Sequence, residues 1–117
     1  MEQRKPITHI NIELDQTTLG VVVDAFTHML ENPDEVDLSM GNLSSLSHLQ
    51  GVTDKLKSYQ GSEDPVAIPM DFGDWTTYSP YIDYASTVVP NDEDGVVLED
   101  LHYKYLEFDE QGQTPSP

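Results

Sequence analysis

The chain has 117 residues with 22 Asp or Glu against five Lys or Arg, giving a formal charge of -17, and it contains no cysteine. A surface of this sign repels bare nucleic acid and anionic lipid, so neither direct nucleic-acid binding nor membrane association is expected, and the absence of thiols excludes disulfides and thiolate sites. The 37% hydrophobic share, including six Tyr, three Phe and one Trp, supplies the core material that a disordered acidic chain lacks.

Met1 to Pro6 carries Arg4 and Lys5 but leads into no continuous apolar run, so no secretory signal is expected. Ile10, Ile12 and Leu14 alternate with Asn11 and Glu13, the period of a half-buried strand. Asp15 then stands where a helix N-cap accepts a backbone N–H, and Leu14 and Leu19 match a hydrophobic staple across it. Leu19, Val22, Val23, Phe26, Met29 and Leu30 recur at helical spacing, predicting a helix over Gln16 to Glu31 ended by Asn32-Pro33. After an acidic connection, Leu43, Leu46, Leu49, Val52 or Thr53, Leu56 and Tyr59 trace a second stripe. Asn42 is its candidate cap, Gly51 a candidate break into two short helices, and Gly61 its terminator.

Residues 62–117 hold thirteen Asp or Glu and one base, Lys104, and are punctuated by Pro65, Pro69, Pro80 and Pro90, so long helices are not expected there. Val66 to Met70 and Thr87 to Val89 read as short strands, and Asp71 to Tyr84 as loops or one helical turn. Asn91 to Gly95 reads as a turn, and Val96 to Phe108 as a strand or hairpin arm, although Val97, Leu101, Tyr105 and Phe108 also fit a helix. Gln111 to Pro117 reads as a flexible tail. The expectation is a single acidic α+β domain over residues 1–110, with one or two helices of the N-terminal half packed on a small, mostly antiparallel sheet.

Catalytic and metal signatures are missing. His9, His28, His48 and His102 are scattered and read as surface or boundary residues. Setting Gly95 at the sixth position of a calcium loop puts Pro90 first and Leu101 twelfth, neither a usable ligand. No nucleophile elbow, phosphate loop or dinucleotide fingerprint occurs, so no enzyme, metal or cofactor is expected.

The charge itself is the remaining signal. The acids fall in short groups: Asp34, Glu35 and Asp37; Glu63 and Asp64; Asp71 and Asp74; Asp92, Glu93 and Asp94; Glu99 and Asp100; then Glu107, Asp109 and Glu110. Held in a row by a fold, such carboxylates imitate duplex phosphates and meet a basic groove with steered association. Trp75, Tyr78, Tyr81 and Tyr84 are core candidates first, and any of them left exposed beside Asp71, Asp74 and Asp83 would supply an apolar hot spot.

In length, charge, lack of Cys and dispersed acidic groups, the chain resembles the small DNA-mimic proteins of bacteria and phage, and is most similar in size and charge to those that engage the histone-like protein HU. The resemblance implies a monomeric cytoplasmic inhibitor that occupies the DNA site of a basic protein such as HU, a repressor or a nuclease. An immunity protein against a basic nuclease toxin is the alternative, and salt adaptation a third reading of the same acidity.

Overall fold

The computed structural model describes residues 8–37, 43, 45–88 and 92–115. Strand β1, Ile10–Leu14, pairs antiparallel with β2, Val66–Met70, in the register Ile10↔Met70, Ile12↔Ile68 and Leu14↔Val66, with Asn11 opposite Pro69. Alternation turns Ile12, Leu14, Val66, Ile68 and Met70 to one buried face, as a period of two requires. Among the described residues, four α-helices complete an α+β fold: α1, Gln16–Glu31; α2, Leu46–Tyr59; α3, Phe72–Val88; and α4, Asp92–Glu110.

Helix α1 starts as its residues dictate. The Asp15 carboxylate accepts from the Thr18 backbone N–H at 2.7 Å, which holds its pKa below the ordinary value of 3.8. Because the folded pKa is depressed, this contribution to stability is present above about pH 4 and is lost as pH falls through the lower, folded-state value. Asp15→Ala is therefore expected to unfold at lower temperature than the parent at neutral pH, with the gap closing below about pH 4 in paired thermal melts.

The same helix start is clasped from far along the chain. The Gln16 side chain donates to the carbonyls of Tyr59 (3.2 Å) and Glu63 (2.7 Å) and accepts from the Gly61 N–H (2.8 Å), while the Gln16 N–H donates to Asp64 Oδ1 at 3.1 Å. Gly61, at φ 78°, sits in the left-handed region just past the end of α2. Helix α2 runs unbroken through Gly51, which is exposed. Burial of Leu49, Val52, Thr53 and Leu56 outweighs the roughly 1 kcal/mol that glycine costs in a helix. Its N-cap is Ser45; the expected cap Asn42 lies outside the described residues.

The second half departs from the expectation. Asp71 to Tyr84 is neither loop nor single turn but most of α3, which continues through Pro80 and includes Thr87 and Val88; Val89 lies outside the described residues. Asp71 caps it, accepting from the Asp74 N–H at 2.9 Å. Trp75, Tyr78, Ile82 and Ala85 then bury one face at helical spacing. The expected turn and hairpin arm are likewise replaced by one helix, α4, beginning at Asp92; Asn91 lies outside the described residues. Glu93 and Asp94 occupy its first turn, where the helix dipole favours anions, and Leu98, Leu101 and Tyr105 face the core. Gln111 to Gln113, assigned above to a tail, close this helix. The Gln113 N–H reaches the Phe108 carbonyl (2.9 Å), the Gly112 N–H reaches that of Asp109 (3.1 Å), and Gly112 takes φ 67°.

Helices α1, α3 and α4 meet in an aromatic cluster. Phe26 lies edge-on to Tyr78 and Tyr81 at 6.1 and 6.3 Å, and Trp75 lies edge-on to Tyr105 at 5.1 Å. The hydroxyls of Tyr78 and Tyr105 share a buried hydrogen bond of 2.6 Å.

Candidate protein-interaction surface

The structure gives several of the acids singled out above local tasks. Asp64 supports the start of α1 and Asp71 caps α3. Asp74 accepts from Lys55 Nζ at 2.8 Å in a half-buried pair joining α2 to α3. Glu35 lies 3.5 Å from His28 Nε2, and Asp83 lies 3.5 Å from His102 Nε2. The Asp37 backbone N–H donates to Tyr84 Oη at 3.1 Å, and that hydroxyl donates to the Glu35 carbonyl at 3.3 Å. Asp34, Glu35 and Asp37 therefore belong to the turn after α1, and Glu63 and Asp64 to the exit of α2, apart from the acids of α4 in sequence and in element.

The aromatic hot spot foreseen beside Asp71, Asp74 and Asp83 is not there: Trp75, Tyr78 and Tyr81 are core residues and Tyr84 is half-buried. On α3 the exposed large apolar residues are Phe72 (38% exposed), between Asp71 and Asp74 in sequence, and Val88 (41%); the more exposed ones lie elsewhere. Val96 (58% exposed), Tyr103 (57%) and Leu106 (45%) stand on α4. At 100° per residue they share its outward face with the exposed carboxylates Glu99, Asp100, Glu107 and Glu110. Glu93 begins the same face, while Asp94, half-buried, turns toward the body of the protein. Lys104 marks its flank, with Nζ 5.9 Å from the centre of the Phe108 ring.

The three apolar residues, and their sharing of one face with Glu107 and Glu110, are the part that sequence reasoning missed. The signal was present: residues 96, 99, 103, 106 and 110 step by three and four, but a strand reading of Val96 to Phe108 splits them between two faces.

Among the described residues, no group of three or more His, Cys, Asp or Glu side chains converges as a metal site, and no helix is long and apolar enough to cross a membrane. Comparison with protein-family models, curated proteins and solved structures finds no match to this chain. What the surface can do chemically follows from its own groups. It offers exposed hydrogen-bond acceptors and predominantly negative charge around exposed apolar side chains.

Proposed function

We propose that the chain is a DNA mimic that occupies the DNA-binding surface of a basic protein, with the outward face of α4 as its centre. The observation that carries this reading is the set of exposed carboxylates on that face. Glu99 to Glu110 covers about 16 Å of helix at 1.5 Å per residue. Glu99, Asp100, Glu107 and Glu110 thus average about one carboxylate per 5–6 Å of axis, with the widest step, about 10 Å, between Asp100 and Glu107, against 3.4 Å per phosphate along one DNA strand. The net charge of -17 extends the field beyond this face and steers a cationic partner toward it. A cytoplasmic, monomeric inhibitor of a histone-like protein, a repressor or a nuclease fits these features.

A second reading is favoured by one group. Tyr103, exposed among acids, is the kind of anchor by which an immunity protein grips a basic nuclease away from its DNA site.

One competition experiment separates the two. A labelled duplex bound to a histone-like protein of the HU class is expected to be displaced by the purified chain at low salt, with displacement fading as salt rises. The isosteric variant Glu99→Gln/Asp100→Asn/Glu107→Gln/Glu110→Gln is expected to displace poorly while keeping its circular dichroism spectrum. Failure to displace duplex from HU, repressor or nuclease at low salt, or a variant equal to the parent, rejects mimicry. Nuclease inhibition without loss of duplex binding selects the immunity reading.

A further inference from the structure

Along α4 the residues Val96, Glu99, Tyr103, Leu106 and Glu110 alternate steps of three and four, which is the a/d spacing of a two-helix coiled coil. With Val96 set at a, Leu98, Leu101, Tyr105 and Phe108 fall at c and f, on the opposite side of the helix. The first three of these are buried and Phe108 packs half-buried against the core, so the a/d stripe points away from the body of the protein. Its apolar members, Val96, Tyr103 and Leu106, are exposed. An α-helix drifts by only about 20° per heptad from a strict seven-residue repeat, so over two heptads the stripe keeps to one face.

The charged residues obey the same heptad. Asp100 and Glu107 fall at e, Asp109 at g, and Glu99 and Glu110 on the stripe itself, all of them exposed. His102, the other g residue, is half-buried and lies 3.5 Å from Asp83 of α3. Lys104, the one base of the helix, falls at b, outside the stripe and its flanks.

We infer, resting on the basic-partner reading, that the outward face of α4 docks one amphipathic basic helix of that partner, packed along it as in a two-stranded coiled coil. The stripe spacing favours a helix over a β-ribbon. Val96 and Tyr103 lie about 10 Å apart along the axis and Tyr103 and Leu106 about 4–5 Å, which a second helix matches residue for residue. A strand offers same-face side chains about every 7 Å and meets these positions out of step. Charge disfavours a second copy, because the acidic stripe and flanks would face their own kind between two molecules of formal charge -17. No segment of this chain has the complementary chemistry either: its bases are Arg4, Lys5, Lys55, Lys57 and Lys104, never more than two in a helix length. The occupant therefore carries apolar a and d residues over Val96, Tyr103 and Leu106, and Lys or Arg opposite Glu99, Glu110 and the flanking acids. Glu99 also sets the register, since a helix slid by one heptad lays an apolar side chain on that carboxylate.

The probe is a synthetic peptide of about three heptads with Leu at a and d and Lys at e and g, whose like charges keep it unfolded alone at low salt. Mixed with the chain, it is expected to gain helical circular dichroism that saturates at one peptide per chain. An isomer of the same composition with its Leu residues moved off a and d is expected to bind about tenfold more weakly, although its charge is identical. Tyr103→Ser/Leu106→Ser, changed only at exposed positions, is expected to keep the parent's spectrum and thermal midpoint and to lose at least about tenfold in affinity for the first peptide. No helical gain, equal binding of the two isomers, or a variant titration that superimposes on the parent would overturn the assignment. So would a parent that sediments as a dimer and a variant that sediments as a monomer, since the occupant would then be a second copy. Displacement of duplex without helical gain removes this docking site and leaves mimicry standing. Helical gain without displacement does the reverse.

Discussion

Phe26→Ala is expected to cost about 3–5 kcal/mol, the range for truncating a fully buried phenylalanine. Phe26 is fully buried, and its ring is where α1 touches Tyr78 and Tyr81 of α3, so the cavity would open at the centre of the helical layer. A domain of this size has about 5–15 kcal/mol in total, and the repulsion among its carboxylates lowers that figure when salt is scarce. The variant is thus expected to lose its cooperative thermal transition in dilute buffer and to regain it in about 1 M salt, where the Debye length shrinks to about 3 Å. Calorimetry or circular dichroism melts at the two ionic strengths check this. A loss below about 1 kcal/mol in both would mean that the aromatic cluster does not join α1 to α3.

The second large effect comes from the Tyr78–Tyr105 hydroxyl pair. Tyr78→Phe and Tyr105→Phe each leave one buried phenol without its partner, at a cost of about 1–3 kcal/mol apiece. The double variant removes donor and acceptor together and is expected to lose clearly less than the sum, a coupling of about 0.5–3 kcal/mol in a denaturant-based cycle. The pair also sets the alkaline limit. Burial raises the pKa of both phenols; the neighbouring Tyr105 raises Tyr78 further, while the bond from Tyr78 lowers Tyr105. A phenol that ionises later in the folded than in the unfolded state stabilises the fold below pH 10 or so and progressively fails it above that value. The parent is expected to unfold steeply from about pH 10 upward, and the double Phe variant to hold to higher pH. Superimposable alkaline titrations of parent and double variant would contradict this account.

How far the fold can be read from its residues depends on whether the deciding contacts are local. Strand β1 and helix α1 are legible because alternation, the Asp15 cap and the Leu14–Leu19 staple lie within ten residues of one another and agree. Strand β2 is legible for the same reason. Helices α3 and α4 are not, because their local signals conflict with their packing. Pro80, Gly95 and a run of Tyr and Val argue against helix, yet Trp75, Tyr78, Ile82, Leu98, Leu101 and Tyr105 acquire their burial only from tertiary packing, across the α3–α4 seam and against α1. The Gln16 clasp is illegible in principle, since its partners lie more than 40 residues away.

The candidate surface shows the same division. Net charge predicts that some acidic face exists, but not which carboxylates are occupied as caps and ion pairs. Asp64, Asp71 and Asp74 look like Glu99 or Glu107 until their neighbours in space are known. The apolar residues of the surface were hidden by the strand reading, which sends Tyr103 and Leu106 to opposite sides.

Pro69 has a consequence for the molecule's behaviour at high concentration. With no amide hydrogen, it cannot sit at a hydrogen-bonded position toward Asn11, so its nitrogen is directed to the side of β2 that has no partner strand among the described residues. A strand from another molecule seeking to extend the two-stranded ribbon there would find a missing donor at mid-length, one of the devices by which sheet edges resist templated growth.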